Sequence, residues 1–224
     1  MAKQLSFELP VRQALGREDF FVSPANAAAV GMIEGWQGWT ARKLVLAGPT
    51  GSGKTHLAHV WAALAQAQII AATDLEQADI PALATSNIAV ENAHEIADNR
   101  AAEEALFHLH NLALAEGWTL LITADKPPQH WGLTLPDLVS RMQGTTLVAL
   151  DTPDDSLLAA VLMKLFADRQ LSPQPETIPY LIPRMPRSFD AARAVVATLD
   201  DLALETGRPI NRTLARRVLD NLDN

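Results

Sequence analysis

The chain has 224 residues, no cysteine and a net charge of −8, from 18 Lys and Arg against 26 Asp and Glu. That length holds one large domain, or a medium one with a small companion; without cysteine, a disulfide framework and thiolate metal sites are excluded. The acidic balance, −6 over residues 1–150 and −2 over residues 151–224, argues against a stable direct DNA surface, which needs clustered cations. No apolar run is long enough to span a membrane, and Met1-Ala2-Lys3-Gln4 lacks the apolar core of a secretory signal. The expected location is the cytoplasm, with no membrane partner.

Leu5, Phe7 and Leu9 alternate within Gln4-Leu5-Ser6-Phe7-Glu8-Leu9, so an extended chain presents all three on one side before Pro10 stops pairing. The segment is either a terminal strand on its own domain or a peptide ligand for another protein's groove. Ser23-Pro24 then predicts an N-cap and first helical position, and a small-residue helix follows. Strands are expected at 43–47, 68–72, 87–90, 118–123 and 145–150, alternating with helices at 55–66, 100–116 and 135–142. Residues 73–86 read as a loop or short helix. In the 100–116 helix, Ala101, Ala105, Leu106, Leu109, Leu112 and Ala113 form the apolar stripe, and Gly117 caps it. After Asp151 the pattern is helical only: 153–169, a shorter piece within 174–185 broken by Pro179 and Pro183, 188–206 closed by Gly207, and 210–222. The expected fold class is α/β, a parallel five-stranded sheet with flanking helices followed by a small all-α domain. The expected division is a tail over 1–18, a nucleotide-binding domain over 19–151 and a helical lid over 152–224.

Gly48-Pro49-Thr50-Gly51-Ser52-Gly53-Lys54-Thr55 lies between the first strand and a helix and has the G-x-x-x-x-G-K-T pattern of a phosphate-binding loop. The backbone must curl around phosphate with its N–H groups inward, and a Cβ at Gly51 or Gly53 obstructs that. The expected cradle is Pro49, Thr50, Gly51, Ser52, Gly53, Lys54, Thr55 and His56, with Lys54 on the β/γ oxygens and the Thr55 hydroxyl on Mg²⁺. Glu91, at the end of the third strand, is the candidate second Mg²⁺ partner, with Asp74 as runner-up; an ordinary strand-end carboxylate is the alternative. The next position usually holds an acid that orients the attacking water. Here it is Asn92, which cannot take a proton.

Thr123 or Asp125, ending the fourth strand, is placed to sense a γ-phosphate, unless Thr123-Ala124-Asp125 is an ordinary turn. Arg141 is either a finger completing a neighbouring subunit's site or one half of a local ion pair. Arg193, with Arg187 nearby, reaches the phosphates if the helical domain folds over them; otherwise the pair marks a solvated face. His56 and His59 are three apart but lack the acid of a metalloprotease motif, so a structural role is expected. Arg212, Arg216 and Arg217 read as a solvated face.

These features come in the order found in AAA+ ATPases, and the chain resembles the nucleotide-binding region of the bacterial replication initiator DnaA. Phe20-Phe21-Val22-Ser23-Pro24-Ala25-Asn26 is similar to the initiator's adenine-side segment, which implies nucleotide contacts at Phe21, Val22 and Asn26. Ile122-Thr123-Ala124-Asp125-Lys126-Pro127-Pro128 is similar to its first sensor, Ser140-Arg141-Met142 to its arginine finger, and Ala192-Arg193-Ala194-Val195 lies where its second sensor arginine falls. The resemblance covers about residues 19–222. With no counterpart of the initiator's C-terminal helix-turn-helix before Asn224, the chain is more similar to the Hda family, the DnaA-related regulators. Residues 4–9 look like that family's sliding-clamp motif, and Thr198-Leu199-Asp200-Asp201-Leu202 looks like its lid helix.

The resemblance implies a protein holding ADP or ATP with Mg²⁺, typically ADP. It docks on the DNA-loaded sliding clamp through Gln4, Leu5, Ser6, Phe7 and Leu9. It then acts through Arg141 to promote hydrolysis by ATP-bound initiator, which prevents re-initiation; a homo-oligomer is a further expectation. Three alternatives stay open on the residues. An active ATPase of the helicase-loader type predicts turnover and a basic track. A small-molecule kinase needs a base near its acceptor. A scaffold keeps nucleotide only to hold its domains together.

Overall fold

The computed structural model describes residues 21–222, with side chains to residue 220. The expectations placed on Gln4, Leu5, Ser6, Phe7, Leu9 and Phe20 lie outside the described residues. Among these, β1 (Lys43–Ala47), β2 (Gln68–Ala71), β3 (Ile88–Glu91), β4 (Leu120–Ala124) and β5 (Leu147–Ala149) form one parallel sheet in the order β2-β3-β4-β1-β5. The expected α/β sheet with flanking helices is therefore present. Every residue of β1 and β4 is buried, as parallel strands covered on both faces must be.

Side-chain alternation along the strands divides two cores. Val45, Val90 and Ile122 pack with Leu106 and Leu109 of α4 (Arg100–Ala115). Leu44, Leu46, Ala89 and Leu121 pack on the other face, with Ile33 of α1 (Ala27–Glu34) and Leu57 and Trp61 of α2 (Lys54–Ala65). A third core joins Leu162 and Phe166 of α6 (Asp155–Asp168), Leu181 of α7 (Thr177–Leu181), Val195 and Leu199 of α8 (Phe189–Thr206), and Leu214 and Val218 of α9 (Arg212–Leu222). Asp154 caps α6 by accepting from the Leu157 amide at 2.8 Å, and Ser188 caps α8 by accepting from Ala191 at 3.1 Å. Gly207 ends α8 with φ 63°. Arg169 pairs with Asp200 at 3.1 Å and ties the end of α6 to α8.

Some local expectations shift. Ser23 and Pro24 do not open α1, which begins at Ala27 with Asn26 in the cap position. Asn26 instead closes the preceding loop: its Oδ1 accepts from the Ser23 amide at 2.9 Å and its Nδ2 donates to the Phe21 carbonyl at 2.8 Å. Trp118 lies outside β4, and β5 is three residues long. Of the expected stripe on α4, Leu106, Leu109 and Ala113 are buried and Ala105 and Leu112 pack against the same core, but Ala101 is exposed, and Ala102, Glu103 and His110 are buried as well.

Glu103 and Lys43, the latter beside His110, hold α5 (Pro136–Gln143) at its ends. Glu103, fully buried, accepts from the Thr134 amide at 2.9 and 3.0 Å, the Leu135 amide at 2.6 Å and the Thr134 hydroxyl at 3.2 Å. It thereby satisfies amides left open at the start of a helix. At the other end, Lys43 Nζ donates to the Arg141 carbonyl at 3.3 Å and lies 3.3 Å from His110 Nε2. Burial, then the Arg141 charge, pushes the Lys43 pKa down. Burial pulls His110 below 6.5; its bond to Asn111 opposes this, and the Lys43 and Arg141 charges add to it.

Replacing Glu103 by Ala strands the Thr134 and Leu135 amides, and the expected cost is about 2–4 kcal/mol in urea unfolding. For His110 the folded pKa is the lower one. In acid the unfolded chain therefore takes up a proton that the folded chain refuses, and this residue's contribution to stability is lost as pH falls below 6.5. His110→Gln is expected to lose less stability than the unaltered chain between about pH 7.5 and about pH 5.5, measured by urea midpoints at each pH.

Candidate functional site

The loop leaving β1 is fastened on both sides. The Gly48 amide donates to the Ala124 carbonyl at 3.1 Å, and the Leu150 amide donates to the Ala47 carbonyl at 2.7 Å. A Cβ on Gly48 would lie 2.7 Å from the Leu150 carbonyl oxygen and 2.9 Å from Ser52 Oγ, so only glycine fits there. Gly51 and Gly53 have φ of 74° and 99°, the left-handed region that glycine tolerates. A Cβ on Gly51 would meet the helical domain: Ser188 Cβ at 2.6 Å and Asp190 Oδ2 at 3.1 Å. The Phe189 amide donates to the Gly51 carbonyl at 2.8 Å. The start of α8 therefore rests on this loop.

Lys54 opens α2, is 8 % exposed, and donates to the carbonyls of Gly48 at 2.7 Å and Pro49 at 3.0 Å. Burial lowers its pKa; Asp125, Asp190 and Glu91, in that order, pull it back up. Pro49, Thr50 and Thr55 are exposed, while Gly51, Gly53 and His56 are half-buried. Buried Ser52 Oγ, Glu91 Oε1 and Asp125 Oδ1 lack hydrogen-bond partners among the described residues. Buried polar atoms without partners are costly and rare. Together with a glycine-shaped loop, a buried lysine and carboxylates around it, they fit a phosphate chain with a divalent cation.

Asn92 follows β3 with φ 57° and ψ 44°, and its amide donates to Thr123 Oγ1 at 3.1 Å. That bond joins the ends of β3 and β4 through an oxygen lone pair and leaves the Thr123 hydroxyl its proton to donate, while Asp125 is among the charges acting on Lys54. The Asp125 amide donates to His94 Nδ1 at 3.3 Å, which leaves the proton of a neutral ring on Nε2, 3.6 Å from Asp125 Oδ1. Asp74 sits exposed in a short 3-10 turn, Ala72–Gln77, and is not among the charges acting on Lys54.

The arginines fall into two groups. Arg141 is exposed on α5 and makes no ion pair among the described residues, so the local-pair alternative finds no partner. Arg193, one turn into α8, pairs with Asp190, and Arg187 pairs with Asp155 and donates to the Pro153 carbonyl. Phe21 and Val22 are exposed at 38 % and 52 %. Asn26 is 2 % exposed and spends both ends of its amide inside its own loop, so its side chain shapes the segment. Among the described residues no cluster of His, Asp and Glu around His56 and His59 forms a metal site. Arg212 stacks over the Tyr180 ring at 4.8 Å, and Arg216 pairs with Asp220 at 3.8 Å.

Sequence reading missed Glu103, Lys43, His110, His94 and Asp190. A charged or imidazole residue inside an apolar helical stripe was an available signal for Glu103 and His110; the others depend on tertiary partners. Gly51→Ala combines a disfavoured φ with the Ser188 contact. It is expected to lower stability by about 1–3 kcal/mol and to speed proteolysis between β5 and α8, measured against Gly38→Ala, where a Cβ meets nothing.

No protein-family model matches the chain. An uncharacterized protein of Haemophilus influenzae is 27% identical over 187 residues, covering 77% of this chain and 79% of that protein. The chromosomal replication initiator protein DnaA of Cutibacterium acnes is 22% identical over 218 residues, 88% of this chain but 43% of the initiator, so the chain spans less than half its length. Domain III of Thermotoga maritima DnaA superposes with a TM-score of 0.78 at 17% identity, covering 95% of this chain and 98% of that one. AMPPCP-bound DnaA from Aquifex aeolicus gives 0.68 at 19% identity, over 85% of this chain and 65% of that one. Thermotoga maritima RuvB gives 0.70 at 20% identity, over 88% and 68%. In fold, the chain is similar to domain III of DnaA and to RuvB.

Proposed function

We propose that the chain is a nucleotide-bound regulator of chromosomal replication initiation of the Hda type. It docks on the DNA-loaded sliding clamp through Gln4, Leu5, Ser6, Phe7 and Leu9. It promotes ATP hydrolysis by the initiator DnaA through Arg141, and so prevents re-initiation. The proposed division is a clamp-binding tail over 1–18, a nucleotide-binding domain over 19–151 and a lid over 152–224, acting in the cytoplasm. A homo-oligomer is part of the same reading.

The observation that carries the reading is the contrast between two positions. Arg141 is exposed, makes no ion pair among the described residues and sits on a helix anchored at both ends. Asn92 stands where a hydrolysing phosphate-loop enzyme usually keeps an acid. A protein built to supply charge to a neighbour's reaction needs the first and not an acid at the second.

The AMPPCP bound to a DnaA of the same fold supports an adenine nucleotide here, as ADP or ATP with Mg²⁺. Bound nucleotide and Mg²⁺ supply the phosphate charge and the cation that offset the buried charges of the site. Pro49, Thr50, Gly51, Ser52, Gly53 and His56 would line the phosphate site, and Lys54, now on the Gly48 and Pro49 carbonyls, would supply the cation for phosphate oxygen. Thr55 and Glu91 would hold the cation, Asp125 would face the terminal phosphate, Phe21, Val22 and Asn26 would form the adenine side, and Arg193 would contribute from the helical region.

The test is nucleotide hydrolysis in a mixture of clamp, DNA, initiator and this chain, each omitted in turn. Lys54→Ala is expected to lose nucleotide retention. Arg141→Ala is expected to keep it while stimulation of the initiator falls by about a thousandfold or more. Changing Gln4 and Leu5 to Ala is expected to abolish clamp pull-down. Full stimulation by Arg141→Ala would remove the trans role.

A further inference from the structure

Asp190 is the first-turn acid of α8, placed by the Ser188 cap and by the bond from the Phe189 amide to the Gly51 carbonyl. Its two oxygens face different ways. Oδ1 accepts from Arg193 Nη2, while Oδ2 lies on the Gly51 side, 3.1 Å from where a Cβ of that residue would be. The phosphate loop thus has a carboxylate on its lid side, carried by a different domain from Glu91 and Asp125. Lys54 is close enough to respond to all three. The pairing with Arg193 is within a single turn of one helix and half-exposed, so by itself it contributes little to stability. Its consequence is to occupy Arg193, whose partner Asp190 stands beside the loop.

We propose that Asp190 sets how this site discriminates nucleoside diphosphate from nucleoside triphosphate, by competing with the terminal phosphate for Arg193 and by repelling its added charge. The inference rests on the nucleotide-binding reading above and concerns the same loop. A diphosphate fills the cradle formed by the Gly51–Lys54 backbone and leaves the Asp190–Arg193 pair in place. A further phosphate brings negative charge to the lid side of the loop. It must then take Arg193 from Asp190, and the carboxylate so released stays beside it. Because Asp190 and Arg193 are both well exposed, added salt weakens this discrimination. Glu91 and Asp125 are half-buried and are carried by the ends of β3 and β4, whereas Asp190 is carried by α8.

The experiment is titration of nucleotide-stripped full chain with fluorescent ADP and with a fluorescent non-hydrolysable ATP analogue, in Mg²⁺, for the unaltered chain, Asp190→Asn, Arg193→Ala and the double variant. Asp190→Asn keeps the shape and lies at an exposed position, and circular dichroism checks its fold. The expected result is a tightening for the triphosphate with little change for the diphosphate, shifting the ratio of the two affinities by roughly five- to tenfold. The shift shrinks at high salt, and Arg193→Ala costs more triphosphate affinity in the Asp190→Asn background than alone. An affinity ratio within about twofold of the unaltered chain, with diphosphate binding intact, overturns the inference and leaves the nucleotide-binding reading standing. Failure of the unaltered chain to bind either nucleotide overturns both.

Discussion

One contact governs how the two halves of this chain work together: the Phe189 amide donating to the Gly51 carbonyl, with Ser188 seated where a Gly51 side chain would be. Gly51 has a double constraint. Its φ of 74° lets the loop present amides inward, and its missing Cβ lets the first turn of α8 settle on the loop's outer side. The same turn carries Asp190 and Arg193. Any movement of the loop around a phosphate is therefore felt at the start of an 18-residue helix that is the centre of the third core. The cap at Ser188, the core of Val195 and Leu199, and the Arg169–Asp200 tie make that helix a rigid lever.

The proposed finger, Arg141, is held differently from Arg193. Its helix is fixed from the body of the sheet: Glu103 takes the amides at one end, and Lys43 takes the Arg141 carbonyl at the other. Both anchors are nearly or fully buried, where an unsatisfied polar group is expensive, so α5 has little freedom to shift without leaving one of them stranded. Among the described residues Arg193 instead pairs with its helical neighbour Asp190, half-exposed, where partners exchange readily. A fixed arginine suits a group presented to another molecule, since its placement is settled before contact. A labile one suits a group that responds to what lies in the protein's own loop.

The legible parts of the chain were those encoded locally. A fully apolar run before a glycine-rich turn can only be a buried strand feeding a loop, and β1, its loop and α2 are found there. The helix ends at Gly207 and the caps at Asp154 and Ser188 follow from backbone requirements visible in three or four residues. What stayed hidden is long-range. Glu103 meets Thr134 across 31 positions, and Lys43 meets His110 across 67. Ser23-Pro24 misled because the local helix-start signal was overridden by Asn26, which spends its amide on the loop in front. The stripe on α4 was legible at Leu106, Leu109 and Ala113 but not at Glu103 and His110, buried polar residues that an apolar-stripe reading leaves out. The tail over 1–18 stands on the resemblance alone.

Asn92 shows how geometry separates a fold reason from a chemical one. It occupies the left-handed region, where asparagine is favoured over most residues, which is a sufficient backbone reason for its presence. Aspartate tolerates the same region and would make the same backbone bond to Thr123. The fold therefore admits an acid here. The residue present differs from that acid only in having no proton-accepting carboxylate beside Glu91 and Asp125. With Asp190 already on the lid side, an additional carboxylate would add negative charge to a loop meant for phosphate. On the proposed reading this chain's own turnover is not its output, so an uncharged amide meets the backbone demand and spares the site that repulsion.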